Sequence, residues 1–178
     1  QIEVLAKSKE HEVPITLRFQ ELRDEQMQPA HGELPFFLQE NTVIQFLQYP
    51  YEQVVAENFV EILEKMELIN DLSCYEEIYG ILKKEALDGR KVEQQIIEIG
   101  TKRELFFGKD RLDTVLHYKD YTYMKRKWTA YLKRERKKEP DWVEVMTLLE
   151  AFFPPVWRAI IRDEIFIGDW MPELCRFL

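Results

Sequence analysis

The chain has 178 residues, a formal net charge of −8, and 46% hydrophobic and 33% charged residues. This composition excludes a disordered or low-complexity protein, and this length allows one well-packed core. Two cysteines without a CxxC motif argue against a disulfide framework, so both are expected to be reduced. We predict a single, mostly helical domain spanning residues 1–178, in which residues 1–40 are either irregular or a hairpin.

The sequence also argues against membrane and secretory proteins. No apolar run approaches the roughly 20 residues that cross a bilayer, and the first residues lack the apolar stretch of a signal peptide. The expected location is the cytoplasm, without membrane contact.

The N-terminal region fits two local structures. Residues 13–19 alternate between apolar and other side chains, as a half-buried strand does. Ile15, Phe19 and Leu22 also fit a helix that begins at Pro14, where a first-turn proline is tolerated. The sequence favours this helix, and a short β-hairpin with residues 2–6 is the alternative.

Helical spacing of apolar residues dominates from residue 40 onward. It predicts a helix over 50–69. Ser73 and Glu76 form a capping-box pattern that predicts the start of the next helix, and Asp88 with Gly89 predicts its end. A third helix follows after a short joint.

The second half of the chain predicts longer helices separated by prolines. Asp110 is a suitable N-cap for a helix that runs to about Lys138, because Pro140 forbids its continuation. A further helix covers residues 142–153, and the prolines at 154 and 155 end it.

Two short helices on either side of Gly168 complete the prediction. The fold class is therefore all-α, a helical domain of about eight helices with short loops and, as the alternative at the N-terminus, a short hairpin. Four tryptophans are predicted to be core residues on four successive helices, and they are Trp128, Trp142, Trp157 and Trp170.

A basic segment, residues 125–138, contains eight Lys or Arg and one Glu. On a helical wheel, Tyr121, Met124, Trp128, Tyr131 and Leu132 form an apolar stripe, and cations cover most of the remaining circumference. The helix dipole accounts for cations in the last turn but not for the earlier ones. We predict a partner-binding surface, whose residues are Lys125, Arg126, Lys127, Lys133, Arg134 and Lys137.

An acidic segment, residues 52–77, carries a net charge of −7, which matches the +7 of the basic segment. The two surfaces are expected to face each other within the fold or to pair between two copies of the chain. Glu57, Glu61 and Glu64 are the predicted acidic partner-binding residues. The predicted function is a non-enzymatic protein-interaction or regulatory module that uses both surfaces.

The alternative function is an RNA- or DNA-binding accessory protein. Lys and Arg would neutralise phosphates, and Tyr123 would stack on a base. The pI of about 5.1 argues against it, because subtracting the +7 of the basic segment leaves −15 on the rest of the chain, which repels a polyanion. The apolar stripe is better explained by a core than by lipid, so no membrane partner is predicted.

Sequence patterns for catalysis are sparse. No dinucleotide or P-loop motif is present, and His11, His31 and His117 lack carboxylate or cysteine neighbours at metal-ligand spacing. We therefore predict no cofactor and no metal, and the sequence favours a protein that is not an enzyme.

One pair of residues has the spacing of a known catalytic signature. Arg111 and His117 stand six positions apart, which resembles the R-x(4–6)-H signature of helical HEPN ribonucleases, in which Arg and His act on an RNA phosphate. Leu112 replaces the polar residue that usually follows the Arg. His117 also falls on the helical stripe of Met124 and Trp128, which favours a half-buried structural histidine. No catalytic residue is predicted beyond these two weak candidates.

Overall fold

The computed structural model describes residues 2–8, 11–17, 30–35 and 43–178. Within these ranges, the N-terminal part contains two antiparallel hairpins, β1 with β2 and β3 with β4. The strands are β1 (Ile2–Ser8), β2 (His11–Leu17), β3 (Ala30–Pro35) and β4 (Val43–Gln48).

The first hairpin decides between the two N-terminal predictions. Its register pairs Val4 with Ile15 and Leu5 with Pro14. The helix predicted to begin at Pro14 is therefore wrong as far as residue 17, and the hairpin alternative is confirmed. The alternating apolar pattern outweighed the helical spacing because a partner strand was available a few residues upstream. The rest of that predicted helix lies outside the described residues.

Six α-helices follow within residues 43–178, together with one 3-10 helix (Met66–Leu68) directly after α1. The helices are α1 (Tyr51–Lys65), α2 (Ser73–Leu82), α3 (Gly89–Lys102), α4 (Lys109–His117), α5 (Thr122–Arg134) and α6 (Trp142–Arg162). The prediction of an all-α fold with about eight helices is wrong, because the described part of the chain has six helices together with small antiparallel sheets.

The C-terminal residues form strands where two short helices were expected. β5 (Leu87–Asp88), β6 (Asp169–Met171) and β7 (Arg176–Phe177) make an antiparallel sheet in the order β5-β6-β7. Trp170 is fully buried, and its indole N–H donates to the carbonyl oxygen of Leu82 at 2.8 Å. Burial of this ring against the end of α2 holds the C-terminal segment in an extended conformation.

Helix α6 continues through the two prolines that were expected to end it. An interior proline costs about 3 kcal/mol because it removes a helical hydrogen bond. Phe152 and Phe153 precede Pro154, and Val156 and Trp157 follow, and all four of these apolar side chains are buried. Burying each large apolar side chain contributes about 1.5–3 kcal/mol, so continuing the helix offsets the cost of the prolines.

The long helix predicted from Asp110 to Lys138 is instead two helices. After His117 the backbone continues in three-residue turns, in which the carbonyl of Tyr118 accepts the N–H of Tyr121 at 3.1 Å as well as the indole N–H of Trp142 at 2.8 Å. Helix α4 accordingly ends at His117. Asp110 lies in the first turn of α4, whose N-cap is Gly108. Helix α5 ends at Arg134, because Arg136 takes the left-handed conformation, with φ of 57°.

The core lies between α6 and the helices before it. Phe59 of α1 stacks on Phe153 of α6 with ring centroids 3.6 Å apart, and Trp157 meets Phe59 edge-on. The prediction that the tryptophans are core residues is confirmed, since all four are buried. The prediction of four successive helices is wrong, because one lies on α5, two on α6 and one on β6.

Helix caps differ from the sequence prediction at α2 and α3. Ser73 is the first residue of α2 and makes no capping bond through its side chain, so the predicted capping box is absent there. Asp88 does not end α2. It is the N-cap of α3, where its carboxylate accepts the N–H groups of Arg90 and Lys91 at 3.0 and 3.2 Å. Gly89 is accordingly the first residue of α3, and α2 ends earlier, at Leu82.

These caps give a direct stability test. Asp88→Ala should lower the free energy of unfolding by about 1 kcal/mol, because two N–H groups of α3 lose their acceptor. Ser73→Ala should change it by less than about 0.5 kcal/mol. Urea unfolding followed by circular dichroism measures both, and a larger loss for Ser73→Ala than for Asp88→Ala would contradict the assignment.

Candidate interaction surface

One side of α5 packs into the core. Met124, Trp128, Tyr131 and Leu132 are buried, which confirms the apolar stripe predicted for these four residues. Tyr121 is exposed instead, because it precedes the first residue of α5 as its N-cap. The basic residues are therefore divided between the borders of this stripe and the opposite side of the helix.

Lys127 joins the basic helix to the acidic segment through backbone carbonyls. Its Nζ donates to the carbonyl oxygens of Glu67 at 3.1 Å and Ile69 at 2.5 Å, where the 3-10 helix after α1 ends. An ammonium group at this position also meets the negative end of the helix dipole. The ring of Tyr123 lies 5.3 Å from the same ammonium. Lys127 is therefore a structural residue as well as part of the basic segment.

Glu76 is the second point where the two segments meet. Its carboxylate accepts the hydroxyl of Tyr131 at 2.5 Å and pairs with Nζ of Lys137 at 2.5 Å. The Glu76 side chain is 22% exposed, so these charge-assisted bonds are only partly screened by water. Because Glu76 makes these contacts, its side chain does not serve the predicted capping box.

Two other predicted basic residues have local partners. Lys125 pairs with Asp120 at 3.6 Å, and Arg134 pairs with its neighbour Glu135 at 3.0 Å. The side chain of Asp120 is 93% exposed, so this pair contributes little. Neither pair reduces the exposure of the cations to an incoming partner.

The remaining side of α5 is a free cationic surface. We define the outer face of α5 as Tyr123, Arg126, Ala130 and Lys133, whose spacing of three and four places them on one side of the helix. All four are exposed. Within the part of the chain that the structure describes, Arg126 and Lys133 have no ion-pair or hydrogen-bond partner. Arg134 borders this face.

The predicted acidic residues lie on α1, and two of them pair with cations outside α5. Glu61 pairs with Lys65 at 2.6 Å and Glu64 pairs with Arg103 at 3.6 Å, while Glu57 is half-buried. Among the described residues, neither Glu61 nor Glu64 pairs with a cation of α5. The two charged segments thus meet at Glu76 and at the end of the 3-10 helix, and not at Glu61 or Glu64.

The weak catalytic candidates lie on the short helix α4. Arg111 is half-buried. His117 is exposed and not half-buried as predicted, because α4 ends at His117 and this residue therefore does not belong to the stripe of α5. Nδ1 of His117 lies 2.6 Å from the carbonyl oxygen of Asp113, to which it donates. Six positions correspond to about 120° of separation around a helix, so the Arg111 and His117 side chains leave α4 in different directions.

Burial raises the pKa of several protonated groups near this surface. The pKa of the Tyr131 hydroxyl is raised well above its ordinary 10.0 by burial and by its bond to the Glu76 carboxylate. Burial raises the pKa of the Cys74 thiol from 9.0 to about 12. Both cysteines are free, Cys74 buried and Cys175 half-buried. The Tyr131 hydroxyl and the Cys74 thiol hold their protons more tightly in the folded chain than in the unfolded one.

This difference predicts a loss of stability in alkali. The unfolded chain releases these protons at the ordinary values of 9.0 and 10.0, so the free energy of unfolding should be level below about pH 9 and fall as the pH rises toward about 12. Tyr131→Phe should flatten this fall, and Tyr123→Phe on the outer face is the control. Urea unfolding at several pH values measures it, and a rise in stability above pH 10 would contradict the prediction.

Neither a membrane span nor a metal cluster is found in the described ranges. No helix there is long and apolar enough to cross a membrane. No group of three or more His, Cys, Asp or Glu side chains there is placed to hold a metal ion. No protein-family model, curated protein or solved structure matches the chain. The function is therefore inferred from the contacts and charges of the residues themselves.

Proposed function

We propose that the chain is a non-enzymatic interaction module that binds an acidic protein segment on the outer face of α5. The observation that carries this proposal is the pair Arg126 and Lys133. The Arg126 and Lys133 side chains are exposed on one side of a helix whose opposite side is buried. Within residues 43–178 neither of them has an acidic partner.

The shape of the outer face suits a helical or extended peptide. From Tyr123 to Lys133 the face is about 15 Å long, at 1.5 Å per residue. Ala130 lies between the two cations and leaves room for a partner to approach. Tyr123 is 49% exposed and supplies an aromatic anchor at one end. Tyrosine and arginine are enriched at protein-binding surfaces, and the outer face presents one of each.

Charge favours a protein segment over nucleic acid. Two of the eight cations in the basic segment, Lys127 and Lys137, already contact the acidic segment within the fold. The free cations cover a short stripe, and a polyanion that extends beyond it would meet a chain whose remaining charge is −15. A short acidic segment matches the stripe without this repulsion.

Pairing between two copies is less favoured than binding of a different protein. The acidic residues that a second copy would offer include Glu61 and Glu64, which pair with Lys65 and Arg103 of their own chain. Their charges are already partly neutralised. A partner with unpaired carboxylates gains more from the outer face.

Fluorescence anisotropy tests the proposal with a labelled peptide of repeated Glu-Leu-Glu-Glu units. We expect salt-dependent binding that Arg126→Glu combined with Lys133→Glu weakens by about fivefold or more, because two attractions become repulsions. Raising the salt to about 1 M, where the Debye length is about 3 Å, should also weaken it.

A matched charge reversal separates the outer face from overall charge. Lys84→Glu with Arg90→Glu changes two exposed cations elsewhere and should leave peptide binding nearly unchanged. Equal loss in both double variants would contradict a specific surface. If labelled oligouridylate binds more tightly than the peptide, and the outer-face variant weakens that binding, the partner is RNA and not a protein. If the peptide does not bind, and the chain forms a dimer that the outer-face variant abolishes, the partner is a second copy of the chain.

A further inference from the structure

A groove of about 340 Å³ lies between α4 and α6, away from the residues of α5. Its apolar lining consists of Leu112 on α4 and Pro154, Trp157 and Ile161 on α6. This volume falls at the lower end of the range of about 300–1,000 Å³ in which proteins hold small molecules. The groove belongs to neither charged segment.

Two contacts show how the groove is built. The indole N–H of Trp157 donates to the carbonyl oxygen of Gly108 at 3.3 Å, and Lys119 pairs with Glu150 at 2.8 Å. The start of α4 therefore lies beside the later part of α6, and the chain just after α4 lies beside its earlier part, so the two helices run antiparallel. Pro154, Trp157, Arg158 and Ile161 share one side of α6 and face this neighbour.

The rim of the groove is cationic. Lys109, Arg158 and Arg162 line it, against one carboxylate, Asp113. Arg162 approaches Glu164 at 3.9 Å, and both of these side chains are 60% exposed, so the pair is weak. In the ranges that the structure describes, Lys109 and Arg158 have no ion-pair partner. The groove thus combines an apolar floor with an excess of positive charge.

We propose that the α4–α6 groove binds a small amphipathic carboxylate, with its hydrophobic part on Pro154 and Ile161 and its carboxylate between Lys109 and Arg158. Ile161 is 40% exposed and offers apolar surface that lacks cover in the free protein. Arg can bind a carboxylate through two parallel N–H groups, which a neutral ligand cannot replace. Asp113 opposes binding, so its removal should strengthen it.

The indole N–H of Trp157 provides a readout that is specific to the groove, and those of the other three tryptophans serve as internal controls. Each donates to a different backbone carbonyl, so each should give its own signal in a two-dimensional ¹H–¹⁵N NMR spectrum. Only Trp157 lines the groove. On titration with 4-phenylbutyrate we expect the Trp157 indole signal and the Arg158 and Ile161 amides to shift, with a dissociation constant on the order of 1 mM.

Variants and a neutral ligand then separate charge from simple apolar contact. Arg158→Gln should weaken 4-phenylbutyrate binding by about fivefold, and 4-phenylbutan-1-ol should bind the unaltered chain correspondingly more weakly. Asp113→Asn should tighten the binding of the acid. Arg126→Gln on the outer face of α5 is the matched control and should have no effect, so this result is independent of the proposed function.

Three outcomes would overturn the proposal. The first is the absence of any shift of the Trp157 indole signal at concentrations well above 1 mM. The second is equal binding of the acid and the alcohol. The third is a shift of all four indole signals together, which indicates non-specific association. The amide spectrum of each variant shows whether it is folded, so a loss of binding through unfolding is distinguished from a loss of the groove.

Discussion

The need of every buried indole N–H for a carbonyl acceptor shapes this fold. A buried donor without a partner costs about 1–3 kcal/mol, and four tryptophans of this chain are buried. Each finds its acceptor at the boundary of a helix or in a connecting segment, and these acceptors are the carbonyls of Leu82, Gly108, Tyr118 and Pro140. The tryptophans therefore hold the helix ends in place as well as filling the core.

The bond from Trp142 to Tyr118 has the largest consequence for function. It ties α6 to the turn between α4 and α5, where the same carbonyl also accepts the N–H of Tyr121, and this turn lets the two helices serve different surfaces. Helix α5 carries the outer face, and α4 forms one wall of the groove beside α6. The same break leaves His117 exposed at a helix end and removes it from the stripe of α5.

The sequence predicted the parts of the structure that depend on side-chain pattern. The apolar stripe of α5, apart from the exposed Tyr121, and the burial of the tryptophans follow from helical spacing and size, and both are confirmed. Helix boundaries were predicted poorly, because local signals compete with tertiary contacts. Asp88 with Gly89 fits the end of one helix and the start of the next equally well. In α6, burial of the apolar side chains around the prolines offsets the cost of continuing the helix through them.

The charged surfaces show the same limit. The matching charges of the two segments were visible in the sequence, but the contacts that join them were not. Lys127 lies about 100° from Trp128 on the helical wheel, at the border of the apolar stripe, and this position was the one signal of its inward role. Its acceptors are backbone carbonyls, which no pattern of charged side chains identifies.

The division of the basic segment into inward and outward cations is the claim on which the functional account rests. The most direct test is the free energy of unfolding of Lys127→Met and Lys133→Met, measured by urea denaturation. Each variant removes one positive charge and keeps a side chain of similar length. We predict a loss of about 1–3 kcal/mol for Lys127→Met, because the buried carbonyl of Ile69 loses its donor, and a change within about 0.5 kcal/mol for Lys133→Met. Equal losses, or a larger loss for Lys133→Met, would contradict the division.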